Sequence, residues 1–230
     1  MTLSITPPVG IEAAGPALHI PDGFLSSPIA ALGWAGAIIA IGVAVRMADR
    51  DLNERAVPLM GVMAAFIFAA QMMNFPVAGG TSGHMLGGAL AAILLGPWAA
   101  IIVMTAVVGL QAVLFQDGGI AVLGANILNM GVITAFIGAA LYRATKPFAG
   151  SGAGLLAVAF VAAWLSVEAS AIATALQLAA SGTSPFEVVM PAMVGVHALI
   201  GIGEGLITAA ALAFVASARP DLLPQRAAAH

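Results

Sequence analysis

The chain has 230 residues, of which 61% are hydrophobic and 7% are charged, whereas soluble domains carry about 25% charged residues. So few charges exclude an ordinary soluble domain, and the mean hydropathy of +1.07 indicates a membrane protein. The net charge of −3 gives no basic patch for nucleic acid, and the lack of cysteine excludes disulfides, thiolate zinc sites and thiol catalysis.

Seven apolar segments are candidate membrane spans, each of which needs about 20 apolar residues. In chain order they cover residues 28–45, 57–75, 84–96, 97–115, 119–142, 154–178 and 188–216. This pattern predicts an all-α, polytopic membrane protein with one bundle of seven transmembrane helices, residues 18–218, and a short cytoplasmic tail, residues 219–230. Because the third segment is too short to cross directly, residues 75–83 are expected to dip inward and border a cavity near His84.

The basic residues predict the orientation of the bundle. With seven spans, all 7 lysines and arginines fall on one side, which the positive-inside rule assigns to the cytoplasm. The N-terminus is therefore expected outside and the C-terminus in the cytoplasm. The outer side carries Asp22, Asp117 and Glu187, so it would attract cations; exclusion of basic residues during insertion explains the same pattern equally well.

Histidines are the first candidates for a metal site, because neutral imidazole is the commonest metal ligand in proteins. His19 and His84 both fall on the predicted outer side, whereas His230 lies in the tail and is expected to be idle. His197 lies inside the seventh span, where a lone histidine is more often a hydrogen-bonded interior residue than a ligand.

Two carboxyl groups fall inside predicted spans, where a charge costs about 2.5–3.5 kcal/mol on insertion scales. Glu204 follows His197 by seven residues on the same helix face, about 10 Å along the axis, which is too far to share a metal. Both Glu168 and Glu204 are therefore expected to be structural, as hydrogen-bonded carboxyls that tie helices together.

Amide side chains recur near the predicted outer ends of the spans, either to support a site or to join helices by hydrogen bonds. They are Gln71, Asn74, Gln111, Gln116, Asn126, Asn129 and Gln177. A P-loop is absent from the sequence, as are the zinc-hydrolase and serine-hydrolase motifs, so neither ATP hydrolysis by a P-loop nor those enzyme activities are expected.

Several motifs point to a known family. They are residues 19–25 (HIPDGFL), 80–88 (GTSGHMLGG), 95–98 (LGPW), 116–119, 124–126 and 196–204 (VHALIGIGE). From Leu18 to about Ala216 the chain resembles CbiM and NikM, the substrate-binding membrane subunits of cobalt and nickel energy-coupling-factor transporters. The resemblance implies a plasma (inner) membrane protein that binds Co²⁺ or Ni²⁺ as substrate and holds no permanent cofactor. It also implies a transmembrane coupling subunit, two cytoplasmic ATPases and a small accessory membrane subunit as partners.

The resemblance further implies a substrate site made by the N-terminal amine, the second residue's backbone nitrogen and imidazole, and a histidine before the third helix. In this sequence that set assigns the metal to His19, His84 and the backbone amine of Leu18. Four nitrogens in a plane suit Ni(II), Cu(II) or low-spin Co(II), and the ligand set does not separate cobalt from nickel. Asp22, Asn126, His197 and Glu204 are expected to support the site or the fold without binding the metal.

The beginning of the chain departs from the family pattern, in which Met directly precedes the His-Ile-Pro motif. Here eighteen residues precede His19, and residues 1–17 lack the features of a signal peptide. Leu18 can be an initiator Met read from a leucine codon, so residues 1–17 are expected to be an extension that the working protein lacks or leaves disordered. Proteolysis after Ala17 and a site without the amine are the alternatives.

Two other functions are compatible with the sequence. An ion-coupled secondary transporter would use Glu168 and Glu204 as proton sites and would need no partners. A membrane enzyme or a non-transporting scaffold is the other alternative, and metal retained by the purified protein would count against the scaffold.

Overall fold

The computed structural model describes residues 19–51, 56–73, 75–76, 82–149 and 152–223. Its helices are α1 (Ser27–Asp51), α2 (Ala56–Gln71), α3 (Gly88–Leu95), α4 (Pro97–Leu110), α5 (Leu123–Asn126), α6 (Thr134–Ala149), α7 (Ala153–Ala180) and α8 (Phe186–Ala218). A π-helical segment, Gln111–Phe115, continues α4, and a second one, Ile127–Ile133, joins α5 to α6. Two-residue strands β1 (Phe75–Pro76) and β2 (Ser82–Gly83) pair antiparallel before α3, and the turn Pro220–Leu222 follows α8.

Five helical stretches in the described part of the chain are long and apolar enough to cross a membrane. They are Ser27–Arg50, Pro97–Phe115, Leu123–Thr145, Ala153–Ala180 and Phe186–Ala218. The shorter apolar helix α2 has 16 residues, and α3 has 8. The structure therefore confirms a helical, multi-pass chain, while the count of seven spans stays a prediction. Residues 1–18, Asn74, 77–81 and His230 lie outside the described residues.

Helix α3 lies in the middle of the bundle, packed against α4, α6 and α7. Residues 88–93 are all buried. The helix is short because Gly96 leaves the helical conformation with φ of 86° and Pro97 then occupies the first turn of α4, where its missing N–H costs nothing. Because residues 88–93 are buried, the first turn of α3 begins in the protein interior, where its unpaired backbone N–H groups need partners.

The distribution of polarity is inverted relative to a soluble protein. Leu32, Ile38 and Ile39 on α1 are each more than 60% exposed, as suits contact with lipid. The buried polar side chains are His19, Gln71, His84, Gln111, Asn126, Asn129, Thr134, Ser166, Glu168, Ser170, Thr174, His197, Glu204 and Thr208. Such groups need internal partners because hydrocarbon supplies none.

Three segments that the sequence assigns to the outer side meet at one end of the bundle. The Gly119 N–H donates to the Ile20 carbonyl over 2.9 Å. The Thr183 hydroxyl donates to the Phe24 carbonyl. Ile20 and Leu25 also pack in a small apolar cluster with Val122. The grouping of these loops agrees with the predicted topology, and the side of the membrane on which they lie stays a prediction.

Candidate metal site

His19 and His84 lie side by side in the folded chain. Their ring centroids are 5.2 Å apart and their planes are inclined by 54°. His19 is 1% exposed and His84 is 8% exposed. The structure thus brings together the two histidines that the sequence singles out, one from the segment before α1 and one from the segment before α3.

Asn126 holds the residue that follows His19. Its side-chain oxygen accepts a hydrogen bond from the Ile20 N–H at 2.9 Å, and its amide group donates to the Ile20 carbonyl at 3.1 Å. Asn126 ends the short helix α5 and is fully buried. A planar amide that pairs with both backbone groups of one residue fixes its position and its direction, which supports the expected role of Asn126.

The turn that follows α4 places a backbone carbonyl next to His19. After the π-helical turn, Gln116 adopts the left-handed conformation with φ of 55°, which costs of order 1–3 kcal/mol in a residue other than glycine. The Asp117 N–H then donates to the Gln111 carbonyl at 3.1 Å. As a result, the Asp117 carbonyl oxygen lies 3.1 Å from His19 Nδ1, and its carboxylate Oδ1 lies 3.8 Å from the same nitrogen.

Asp22 also forms a hydrogen bond with the turn that follows α4. Its Oδ1 accepts a hydrogen bond from the Ala121 N–H at 2.8 Å. A β-carbon at Gly119 would overlap the Asp22 carboxylate and backbone, so only glycine fits there. Asp22 therefore joins the segment of His19 to the turn after α4, as expected of a residue that supports the site.

The His84 segment is held by side chains from α2 and α8. Glu204 accepts hydrogen bonds from the Leu86 N–H at 2.7 Å and from the Gly87 N–H at 2.9 Å. The Gln71 side chain donates to the Leu86 carbonyl at 2.6 Å. His84 Nδ1 contacts the Met85 carbonyl at 2.9 Å. Sequence reasoning expected a structural Glu204 but named neither its partners nor the role of Gln71.

Burial keeps both imidazoles neutral. Desolvation, together with the nearby His84, lowers the pKa of His19 to about 4 although Asp117 acts in the opposite direction. Burial also lowers the pKa of His84 below its usual value of 6.5. Neutral imidazoles are the form that binds metal, so both rings are ready to bind at neutral pH.

The three interior histidines share one hydrogen-bonding pattern. Each has Nδ1 within hydrogen-bonding distance of a backbone carbonyl: Asp117 for His19, Met85 for His84, and Met193 at 2.6 Å for His197. A proton on Nδ1 leaves the lone pair on Nε2, and Nε2 of both His19 and His197 has no partner among the described residues. Carbonyl partners of this kind fix the tautomer of metal-binding histidines.

Side chains alone do not complete a metal site here. Within residues 19–223, as far as the structure describes them, no three His, Asp or Glu side chains are close enough to hold one ion. A chelate between the His19 imidazole and its own backbone nitrogen closes a six-membered ring through Nδ1. That nitrogen contacts the Asp117 carbonyl, so such a chelate must displace this contact.

A cavity of about 440 Å³ opens beside His19. Its lining residues are His19, Pro21, Asp22, Ala112, Gln116, Asp117, Gly118, Gly119 and Ile120. Carboxylates at Asp22 and Asp117 raise the local concentration of cations at its entrance. This cavity is lined by His19 and not by His84, so the expected cavity beside His84 stays a prediction.

Two of the other predicted polar residues join helices. The Asn129 and Gln177 side chains exchange two hydrogen bonds of 2.8 Å, and Asn129 also donates to Thr174 at 3.1 Å.

Glu168 is 7% exposed, and its Oε1 has no hydrogen-bond partner within the described chain. This oxygen therefore makes no hydrogen bond that would join α7 to another described helix, as had been expected of Glu168.

Comparison with known proteins gives one consistent family. Residues 19–222 match the family described as the cobalt uptake substrate-specific transmembrane region. The chain is 47% identical over 208 residues to a protein of Haloquadratum walsbyi, covering 90% of this chain and 93% of that protein. It is 37% identical to the fused nickel transport protein NikMN of Rhodobacter capsulatus, covering 92% of this chain and 66% of that protein. A crystal structure described as a truncated transition metal transporter has a TM-score of 0.79 at 32% identity, covering 86% of this chain and 98% of the other.

Proposed function

Because the chain belongs to the family of cobalt-uptake substrate-specific transmembrane proteins, we propose that it captures Co²⁺ or Ni²⁺ from outside as the substrate-binding subunit of an energy-coupling-factor transporter. Membership in this family makes it a membrane component of cobalt and nickel transport and not an enzyme. The observation that carries the finer proposal is the buried pair of His19 and His84, whose rings lie 5.2 Å apart at the end of the bundle where the loops meet.

The proposed ligands are His84, the imidazole and backbone nitrogen of His19, and the amine of residue 18. The lack of a third suitable side chain among the described residues supports backbone nitrogens as the remaining ligands. In this set, Nδ1 of His19 exchanges the Asp117 carbonyl for the metal, and the ring proton moves from Nδ1 to Nε2. A planar arrangement of four nitrogens selects the metal by geometry where raw affinity alone would favour copper.

The energy for uptake would come from two cytoplasmic ATPases through a transmembrane coupling subunit, with a small accessory membrane subunit. The absence of a P-loop from this sequence supports separate ATPases. Ala65 and Ala69, four residues apart on α2, are exposed and so do not pack inside the described part of the molecule. Small residues at this spacing allow a second helix to approach closely, which suits the coupling subunit.

The test is a binding titration of the purified full chain in detergent or nanodiscs with Ni²⁺ and with Co²⁺, combined with intact-mass measurement. We expect one tightly bound ion per chain and a mass that identifies the N-terminal residue. A folded protein that binds neither ion would refute the proposal. Uptake by vesicles that contain this chain alone, driven by a proton gradient without ATP, would instead favour a secondary transporter.

A further inference from the structure

One peptide group connects the carboxylate of Glu204 to the ring of His84. The N–H of Leu86 and the carbonyl of Met85 are the two ends of the same peptide bond. Glu204 Oε2 accepts from that N–H at 2.7 Å, and the carbonyl lies 2.9 Å from His84 Nδ1. Because a peptide group is planar and rigid, holding one end fixes the direction of the other.

The same carboxylate also binds the next backbone N–H, that of Gly87, at 2.9 Å through Oε1. Gly87 precedes α3 in the left-handed conformation with φ of 84° and, as a glycine, has no side chain of its own to cap the helix. Glu204 is 1% exposed and Leu86 is fully buried, so water does not compete for these hydrogen bonds. A carboxylate also interacts favourably with the N-terminal end of a helix, which adds to the hold on this segment.

Gln71 secures the following peptide group. Its side chain, at the end of α2, donates to the Leu86 carbonyl at 2.6 Å and is 2% exposed. Both backbone groups of Leu86 are therefore bound by buried side chains, one from α8 and one from α2.

We infer that Glu204, assisted by Gln71, is a positioning residue of the metal site that orients His84 and keeps its proton on Nδ1. Nε2 is then the nitrogen of His84 that faces the metal. This inference rests on the proposed role of His84 as a ligand. Its chemistry resembles carboxylate–histidine–metal triads, except that a peptide group is inserted between the carboxylate and the imidazole.

Glu204→Gln tests the inference, because the amide keeps one acceptor oxygen and loses both the charge and the second acceptor. We expect the Kd for Ni²⁺ to rise about 10–100-fold, as for other outer partners of metal ligands. Amide exchange at Leu86 and Gly87 should become faster, with little change elsewhere. Glu168→Gln is the matched control, because it removes a buried carboxyl from the neighbouring helix α7 and should leave both quantities unchanged.

Gln71→Met provides a second route that keeps Glu204, with an expected rise in Kd of about two- to tenfold. The inference is overturned if folded Glu204→Gln binds Ni²⁺ with the wild-type Kd, or if Glu168→Gln weakens binding equally. If Glu204→Gln does not fold, an unchanged Kd in Gln71→Met overturns it. A wild-type chain that binds no metal refutes the proposed function itself, whereas wild-type affinity in Glu204→Gln refutes only this inference.

Discussion

The two histidines of the candidate site are supported by different parts of the molecule. The His19 arm, residues 19–22, is held by the neutral amide of Asn126 and by the turn after α4, beside the open cavity. The His84 arm, residues 84–87, is held in the interior by Glu204 and Gln71. A change in the loops at the end of the bundle should therefore disturb His19, whereas a change in α2 or α8 should disturb His84.

Removing a ligand from the His84 arm should have the largest effect. We expect His84→Ala to abolish detectable Co²⁺ and Ni²⁺ binding while the protein still folds and inserts, because the ring makes no hydrogen bond that anchors α3. Metal content and a binding titration of the purified variant measure this. His230→Ala, in the tail, is the control, and stoichiometric metal in His84→Ala would remove His84 from the ligand set.

Removing the N-terminal amine, which precedes the His19 arm, should have the next largest effect on metal affinity. We expect a form that begins at residue 18 as Met to bind Ni²⁺ more than about 100-fold more tightly than an unprocessed form that begins at Met1. Removing a metal ligand should raise the Kd more than removing a residue that only hydrogen-bonds to a ligand, for which the Kd typically rises 10–100-fold. Titrations of both forms, with their intact masses, decide the matter.

The pH profile of the same two forms gives an independent check. An α-amine titrates near pH 7.7–8.0 and the backbone nitrogen of His19 must also lose its proton to bind metal, so the Kd of the shorter form should rise about a hundredfold for each unit below that range. The pKa of His19 is lowered to about 4 and burial lowers the pKa of His84, so both imidazoles favour the neutral form, and the Kd of the long form, which lacks the amine, should depend less steeply on pH. Equal affinities, or a flat profile in the shorter form, would exclude the amine.

Asn126→Leu, which acts on the His19 arm, should weaken metal binding by a smaller factor. The change removes both side-chain hydrogen bonds to Ile20, so we expect a Kd about 10–100-fold higher. The unpaired Ile20 N–H should also cost about 1–3 kcal/mol of stability. Asn129→Leu is the matched control, because Asn129 bonds to α7 and not to either arm. If Asn129→Leu loses as much affinity as Asn126→Leu, general loosening of the bundle explains both.

The smallest effect is expected at the entrance of the cavity. Asp22→Asn keeps an oxygen that can accept from the Ala121 N–H but removes one negative charge from an exposed position. We expect the association rate of Ni²⁺ to fall a few-fold at low salt and to match the wild type at high salt, since exposed charges are screened. Stopped-flow measurements at two ionic strengths test this, and a loss that persists at high salt would place Asp22 among the ligands.

The membrane helices could be predicted closely because hydropathy is a local property of the chain. Residues 97–115 were expected as one span, and the structure has an apolar helical stretch at Pro97–Phe115. The short third segment likewise forms the short helix Gly88–Leu95. Helix ends were less accurate: α1 reaches Asp51, six residues beyond the predicted end at Val45.

The site could be predicted only in part, and the missing part consists of contacts between distant residues. The types of residue that bind metal, His19 and His84, are visible in the sequence, as is a buried carboxyl at Glu204. The Asp117 carbonyl beside His19 is a backbone group and has no signature in the sequence. Glu204 and Gly87 are 117 positions apart, and only the packing of α8 beside the start of α3 makes them neighbours.

The sequence by itself therefore determined that this is a membrane protein, which family it resembles and which imidazoles are candidates for the metal. Those properties depend on composition and on motifs that lie within a few residues of each other. The tertiary structure alone decided which side chains hold each histidine segment and which backbone carbonyl each Nδ1 contacts. These depend on directions of hydrogen bonds between helices, which follow from packing and are not encoded in any one segment.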